Sequence, residues 1–284
     1  MPERHALSAG GHRLNLIALR LVPALFMGDY EKARHHYEAA LSVRQSWGDQ
    51  GGVGAALNGL ASIAWRKGRL DDAERLLTEA LAIFQTMNNR WCIALTLTDL
   101  GNVALLKGDH DRAERLLTQS LKLWRAVGDR WGIANALRKL GELATRKGKW
   151  HKALAWLKES LQLSDSIGDK VGIIESMETF AEIAFQWGNH PFAAQLLSAA
   201  ATLRRQINAP LPQVKRAHQA TLLKALRKAL GETAFKKICE GTRLLTSDIQ
   251  ALVSNALIFR CLPKRTFPSS LKSVAFVRWR SERA

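Results

Sequence analysis

The sequence predicts an all-α fold, a right-handed α-solenoid of about five helix-turn-helix repeats of 40 residues each, followed by a C-terminal helical cap. Apolar residues spaced three and four apart between regular breaks predict helical faces. The breaks form two series with a period of 40 residues, offset from each other by 20: Gly28, Gly68, Gly108, Gly148 and Gly188, and then Gly48-Asp49, Asn88-Asn89, Gly128-Asp129 and Gly168-Asp169.

The residues at the breaks explain how each helix ends and the next begins. Glycine reaches the left-handed conformation that closes a helix, and a following Asp or Asn side chain accepts a backbone N–H of the next helix. Gly101 and Gly141 lie inside predicted helices, where glycine costs about 1 kcal/mol relative to alanine. We therefore expect another helix to pack closely against each of them.

The predicted organisation has four parts. Residues 1–20 form an incomplete first-repeat helix, 21–209 the repeat array, 210–257 capping helices, and 258–284 a basic irregular tail that is either disordered or from a non-native reading frame. A solenoid needs a cap because its last repeat has no neighbour. Leu222 and Leu226 lie on the apolar stripe of the first capping helix, with Lys215 on its polar side, and Thr246 or Ser247 caps the last helix.

The repeated columns resemble the tetratricopeptide repeat (TPR) family, although the usual unit has about 34 residues. The resemblance rests on Leu140, Gly141, Ala144, Ala153, Leu157 and Ser160 and their counterparts. A narrower resemblance, carried by GDRWGIANAL, GDKVGIIESM and the segment after Pro210, is to the C-terminal TPR sensor region of bacterial signal-transducing NTPase and LuxR-type transcriptional regulators. It implies a sensor portion that lacks the ATPase and DNA-binding domains, since the chain has no phosphate-binding loop motif.

The TPR resemblance implies that the first helix of each unit lines a concave groove that binds a protein or peptide partner, or a small-molecule inducer. The expected groove residues are Asn58, Trp65, Arg66, Asn102, Arg138, Lys139, Glu142, Arg146, Glu178 and Glu182.

Two interpretations of the basic groove residues remain open. Arg138, Lys139 and Arg146 could clamp a carboxylate or phosphate of a ligand. Alternatively, they pair across the groove with Glu178 and Glu182 as exposed ion pairs of little energetic value. Either interpretation predicts a basic band beside an acidic one.

The tryptophans divide into two groups. Trp91 and Trp131 occupy one repeat column, and aromatic residues at helical spacing usually pack in the core or between repeats. Trp65 is the exception, because it lies near the end of a groove helix, where an aromatic side chain could serve as an exposed anchor.

Catalysis is not predicted, because the glycines serve as helix breaks and the glutamates have the spacing of ordinary solvated helix faces. No cofactor is expected either. Three cysteines without a short spacing and eight scattered histidines argue against a metal site. No apolar run reaches the roughly 18 residues of a membrane span. We therefore expect a cytoplasmic protein that does not bind membranes.

The net charge of +17 is concentrated at the C-terminal end, where residues 210–284 carry 15 basic and 4 acidic side chains, a net of 15 − 4 = +11. Such an excess attracts phosphate backbones, although no recognition helix accompanies it. The favoured function is a non-catalytic binding solenoid. The alternatives are a stand-alone scaffold or nucleic-acid-associated protein that uses the basic C-terminal face, and a gene remnant. Self-association through the uncapped N-terminal end is a further expectation.

Overall fold

The computed structural model describes residues 29–241, and this part of the chain is entirely helical. The predicted all-α fold is therefore confirmed. The helices are α1 (Tyr30–Ser46), α2 (Gln50–Arg66), α3 (Leu70–Thr86), α4 (Arg90–Lys107), α5 (His110–Val127), α6 (Arg130–Arg146), α7 (Trp150–Ser166), α8 (Lys170–Gln186), α9 (His190–Gln206), α10 (Gln213–Leu230) and α11 (Glu232–Gly241).

These helices form four complete hairpins, α2/α3, α4/α5, α6/α7 and α8/α9, with α1 packed before them and α10 and α11 after them. Helix α1 is the second helix of the first predicted unit. The first helix of that unit, the capping helix predicted near Thr246 and the basic tail all lie outside the described residues.

The helix ends follow the predicted chemistry. The linker glycines have positive φ angles, between +65° at Gly148 and +83° at Gly68. Asp49 accepts the backbone N–H of Gly52 at 2.9 Å, and an equivalent cap starts α4, α5, α6, α8 and α9. Helices α3 and α7 begin without a side-chain cap. The linker glycine and the Asp or Asn that follows it thus determine where one helix ends and the next begins.

Close contact explains the two glycines inside helices. A Cβ added at Gly101 would lie 2.6 Å from Cγ of Leu117, and one added at Gly141 would lie 2.6 Å from Cγ of Leu157. Real Cβ atoms do not approach other atoms so closely, and the partner in each case is a fully buried leucine. The predicted close packing within these two hairpins is confirmed.

Lysines at intervals of 40 residues link successive hairpins. Lys107 at the end of α4 lies 2.6 Å from Asp71 and 2.8 Å from Glu74, both at the start of α3. Lys147 makes the same pair of contacts with the start of α5, and Lys67 contacts the start of α1. Each lysine therefore bridges to the helix that precedes its own hairpin. We refer to these three residues as the lysine ladder.

Helix α10 does more than cover the last hairpin. Its C-terminal half buries Leu222 and Leu226 in the core formed by α7, α8, α9 and α11. Its N-terminal end reaches the opposite end of the array, because α10 contacts α2 and Val214 packs against the apolar cluster that contains Trp65. The helix therefore runs across the inner face of the solenoid.

Two tryptophans depart from the expectation of core packing. Trp91 and Trp131 remain 40% and 39% exposed. Trp91 packs edge to face on the buried Trp124 and donates its Nε1–H to Asp129 at 2.9 Å. Trp91 therefore packs on the second helix of its own hairpin and binds the N-cap of α6, so the expected contact between repeats is present for this residue.

Candidate functional site

The first helices of the hairpins form the inner wall of the solenoid. Helices α2, α4, α6 and α8 contact one another in order, in addition to their contacts within the hairpins. All ten residues predicted to line the groove lie on these four helices. Around these helices lie two groups of polar side chains that differ in chemistry.

The part of the groove near α6 and α8 is a network of buried ion pairs, which we call the ionic cluster. Glu142 is its centre, with Arg146 at 3.1 Å, Lys139 at 3.6 Å and Lys215 of α10 at 3.7 Å. Arg138 pairs with Glu175, and Arg204 of α9 donates to both oxygens of Glu178 at 2.7 and 2.9 Å. Charges of the two signs alternate along this wall.

The arrangement corrects three predictions about these residues. Arg138 and Lys139 do not pair with Glu178 or Glu182, and they are buried, with 7% and 5% exposure. Glu178 is not solvated, because it is buried and held by Arg204, whereas Glu182 is 27% exposed and lies 3.0 Å from Nε2 of His218. The predicted separate basic and acidic bands are also absent from this wall. The reason is that α9 and α10 bring their own cations into the groove.

Burial and pairing shift the pKa values in opposite directions across the cluster. Burial raises the pKa of Glu142, but the ammonium groups of Lys215 and Lys139 outweigh it and hold that pKa far below its usual range. Burial also raises the pKa of Glu175, but the charges of Arg138 and Lys215 outweigh this effect and hold that pKa well below its usual range. Lys139 differs, because burial and the charge of Lys215 lower its pKa to about 7. Lys139 is thus the least favourably placed cation of the cluster.

The part of the groove near α2 and α4 is polar but poorly paired, and we call Trp65, Asp99 and Asn102 the amide site. Trp65 is 5% exposed, so the prediction of an exposed aromatic anchor is wrong. Leu100 and Val103 of the next hairpin cover its ring, together with Val214, and Arg66 stacks on it at 4.5 Å. Within residues 29–241, Nε1 of Trp65 and both amide atoms of Asn102 are buried without a hydrogen-bond partner.

Asp99 places a carboxylate in the same region. Burial raises the pKa of Asp99 to about 6, and the charges of Arg66 and Lys139 offset part of the rise. Asn58, further along α2, is satisfied by Thr96 at 2.9 Å. The amide site therefore offers hydrogen-bond donors, acceptors and a carboxylate that titrates near neutral pH.

Three groove residues that α9 and α10 contribute were absent from the predicted set, namely Arg204, Lys215 and His218. Lys215 was assigned to the outer, polar side of the cap, whereas it lies in the groove beside Glu142. One signal was present in the sequence. The first turn of α10 is Gln-Val-Lys-Arg, and basic residues at a helix N-terminus are unfavourable unless carboxylates lie nearby.

Two further classes of site are absent from the described part of the chain. Residues 29–241 contain no group of three or more His, Cys, Asp and Glu side chains arranged to hold a metal ion. None of the helices in that range is both long and apolar enough to cross a bilayer.

Comparisons with known proteins support the repeat architecture. The profile of the tetratricopeptide repeat family matches residues 24–86, 92–165 and 132–206. Among solved structures, BtubC (BKLC) from P. vanneervenii is similar, with a TM-score of 0.52 and 16% identity over 84% of this chain and 96% of that one. Kinesin light chain-like TPR repeats from Podosopora anserina match at 0.46 and 15%, over 73% and 97%. No curated protein shows a significant sequence match.

Proposed function

Because the chain belongs to the tetratricopeptide repeat family, we propose that it is a non-catalytic interaction protein whose concave groove binds an extended segment of a protein partner. Repeat solenoids present long concave surfaces of this kind for binding. Asn102 of the amide site carries the proposal. Its side chain is 2% exposed, and neither its Oδ1 nor its Nδ2 has a hydrogen-bond partner in the described residues.

The chemistry of Asn102 matches that of a peptide backbone. An asparagine amide has one carbonyl acceptor and an NH₂ donor, so it can bind the N–H and C=O of one peptide group together. Buried polar groups are normally hydrogen-bonded, and an unpaired one is costly in the unbound protein. Nε1 of Trp65 provides a second unpaired donor in the same half of the groove. A bound segment that displaces the groups covering these buried atoms would satisfy them whatever its own side chains are.

The narrower resemblance supports a finer proposal on biological context. In it, the solenoid is the sensory portion of a transcriptional regulator, and the segment or a small inducer bound in the groove is its signal. The ionic cluster then contributes charge selectivity, because Arg146 is its most exposed cation. The proposal on biological context can fail while the peptide-binding proposal stands. Identification of the natural ligand tests it.

The test is a selection of displayed peptides on the immobilised chain, followed by fluorescence anisotropy with the selected sequences. Asn102→Ala should weaken binding by roughly tenfold or more, since two hydrogen bonds of about 1 kcal/mol each are lost. Gln162→Ala, an exposed amide on the outer helix α7, is the matched control and should bind as the wild type does. Equal affinity of both variants would refute the assignment of Asn102.

A further inference from the structure

The N-terminal half of α10, residues 213–220, occupies the groove to which binding is assigned above. Val214 packs against the cluster that contains Trp65. Nζ of Lys215 lies 3.7 Å from Glu142, and burial of this ammonium is offset by the charges of Glu142, Glu175 and Glu178, which raise its pKa. His218 contacts Glu182 one turn further along. One short segment therefore touches the inner wall from α2 to α8.

Buried residues anchor this segment on both sides, with Pro212 before it and Leu222 and Leu226 after it, but few of its own side chains are buried. Leu222 and Leu226 anchor the C-terminal half of α10 in the core, whereas Gln213, Arg216, Ala217 and His218 are exposed. The segment follows a connection, Ala209 to Pro212, that contains two prolines and no helix. Its hold on the groove thus depends on Val214, Lys215 and His218.

The first turn of α10 is also unstable as a helix. Seven helices that begin at Gly-Asp, Asn-Asn or Gly-Asn breaks have a side-chain cap, namely α1, α2, α4, α5, α6, α8 and α9, but Pro212 gives α10 none. The turn has no acidic residue, and Lys215 and Arg216 place two cations at the positive end of the helix dipole. The glutamates of the groove compensate for this unfavourable charge. Without them, the first turn would be expected to fray.

We propose that residues 213–220 are an internal ligand that closes the groove, and that a protein partner binds by displacing them. The partner would present a cationic side chain in place of Lys215, because Glu142, Glu175 and Glu178 would otherwise lose a buried countercharge. The proposal rests on the groove being the binding surface. It adds that the unliganded chain is held in a closed state.

A peptide of the chain's own sequence tests closure without knowledge of the partner. The probe is fluorescein-labelled PLPQVKRAHQAT, residues 210–221. A tethered segment acts at an effective concentration on the order of millimolar, so a closed groove requires that the free peptide bind an opened groove with a Kd below roughly 1 mM. Wild type should bind it weakly, because the internal copy competes.

Two variants open the groove by independent means. Lys215→Glu places a carboxylate against Glu142, and Val214→Gly removes the apolar contact and favours fraying. Lys224→Glu and Ala229→Gly repeat these changes at exposed positions of the same helix outside residues 213–220 and serve as matched controls. Hydrogen exchange should show faster exchange of residues 213–220 in the two opened variants, with the amides of 222–230 still protected.

Binding of the peptide should be roughly tenfold or more tighter to both opened variants than to wild type and controls, and the same peptide carrying Lys215→Glu should not bind. Equal binding to all proteins, or none to opened variants that remain folded, would overturn the proposal. If selected partner peptides bind neither wild type nor the opened variants, while the chain's own peptide still binds the opened variants, the proposed function fails and closure of the groove stands. If selected partner peptides bind wild type and opened variants equally, the groove binds partners but α10 does not close it.

Discussion

Two adjacent cations on α6, Arg138 and Lys139, are predicted to change stability in opposite directions when each is replaced by methionine. Lys139 is buried and its pKa is lowered to about 7, so the folded protein holds this ammonium unfavourably. Its partner Glu142 keeps two other cations, Arg146 at 3.1 Å and Lys215 at 3.7 Å. Lys139→Met therefore leaves no carboxylate without a countercharge.

The expected magnitudes follow from this difference. Replacing a buried ion by a well-packed apolar side chain is neutral or stabilising by roughly 1–4 kcal/mol when no opposite charge is left alone. We expect Lys139→Met to raise the free energy of unfolding at pH 7 by roughly 1–2 kcal/mol, within that range. Arg138→Met removes the direct partner of the buried Glu175, and it should cost roughly 3–5 kcal/mol.

The effect of Lys139 should also depend on pH with a defined sign. Its folded pKa of about 7 lies below the ordinary 10.5 of lysine, so between these values the unfolded chain binds more protons than the folded one. Wild-type stability then rises with pH relative to Lys139→Met, by at most about 1.4 kcal/mol per pH unit. The advantage of the variant is greatest near pH 7 and shrinks towards pH 10.

Urea unfolding monitored by circular dichroism at pH 6.5, 7.5, 8.5 and 9.5 measures both quantities, with Lys152→Met on the exposed face of α7 as the control. A Lys139→Met protein that is less stable than wild type at pH 7, or a difference that does not change with pH, would show that the ammonium is well compensated. The account of the ionic cluster given above would then be wrong.

Three further changes test the packing and the amide site. Thr98→Val should cost roughly 1–3 kcal/mol, because Nε1 of Trp124, now 3.0 Å from the threonine hydroxyl, loses its acceptor; thermal unfolding measures this, and an unchanged Tm would contradict it. Gly101→Ala should destabilise by roughly 1–2 kcal/mol despite the better helix propensity of alanine, because Leu117 must move. Asn102→Ala should instead raise stability by roughly 0.5–1 kcal/mol, from helix propensity and removal of an unpaired amide, while it weakens peptide binding; a loss of stability would argue that Asn102 is structural.

The repeat architecture was predictable because its determinants are local. Gly108 has the positive φ angle that glycine readily adopts, and Asp109 caps α5 by accepting the backbone N–H of Arg112, three residues later. Gly101 was informative for a similar reason, since an unfavourable residue that recurs at the repeat period implies a contact that also recurs. These signals do not depend on how tightly the solenoid curves.

The partners within the groove were not predictable in the same way. Whether Arg138 meets Glu175 or Glu178 depends on the curvature of the array, which brings α6 and α8 to a distance that no spacing in the sequence defines. Lys215 enters the cluster only because α10 turns back across the inner face. Trp65 is covered for the same reason, partly by Val214. How deeply the groove side chains are buried thus depends on contacts between helices that are far apart in the sequence.

The path of α10 also changes how the solenoid can be expected to unfold. In an ordinary repeat array each unit contacts only its neighbours, so the ends can unravel one unit at a time. Here α10 packs against the last hairpin and also contacts α2. It therefore links hairpins that are distant along the array. Unfolding from either end would first have to break the contact between α10 and α2. Forming that contact requires closure of a long loop. While residues 213–220 occupy the groove, the described array should therefore have a fixed curvature and lose its structure over a narrower range of denaturant than its repeat number alone would suggest.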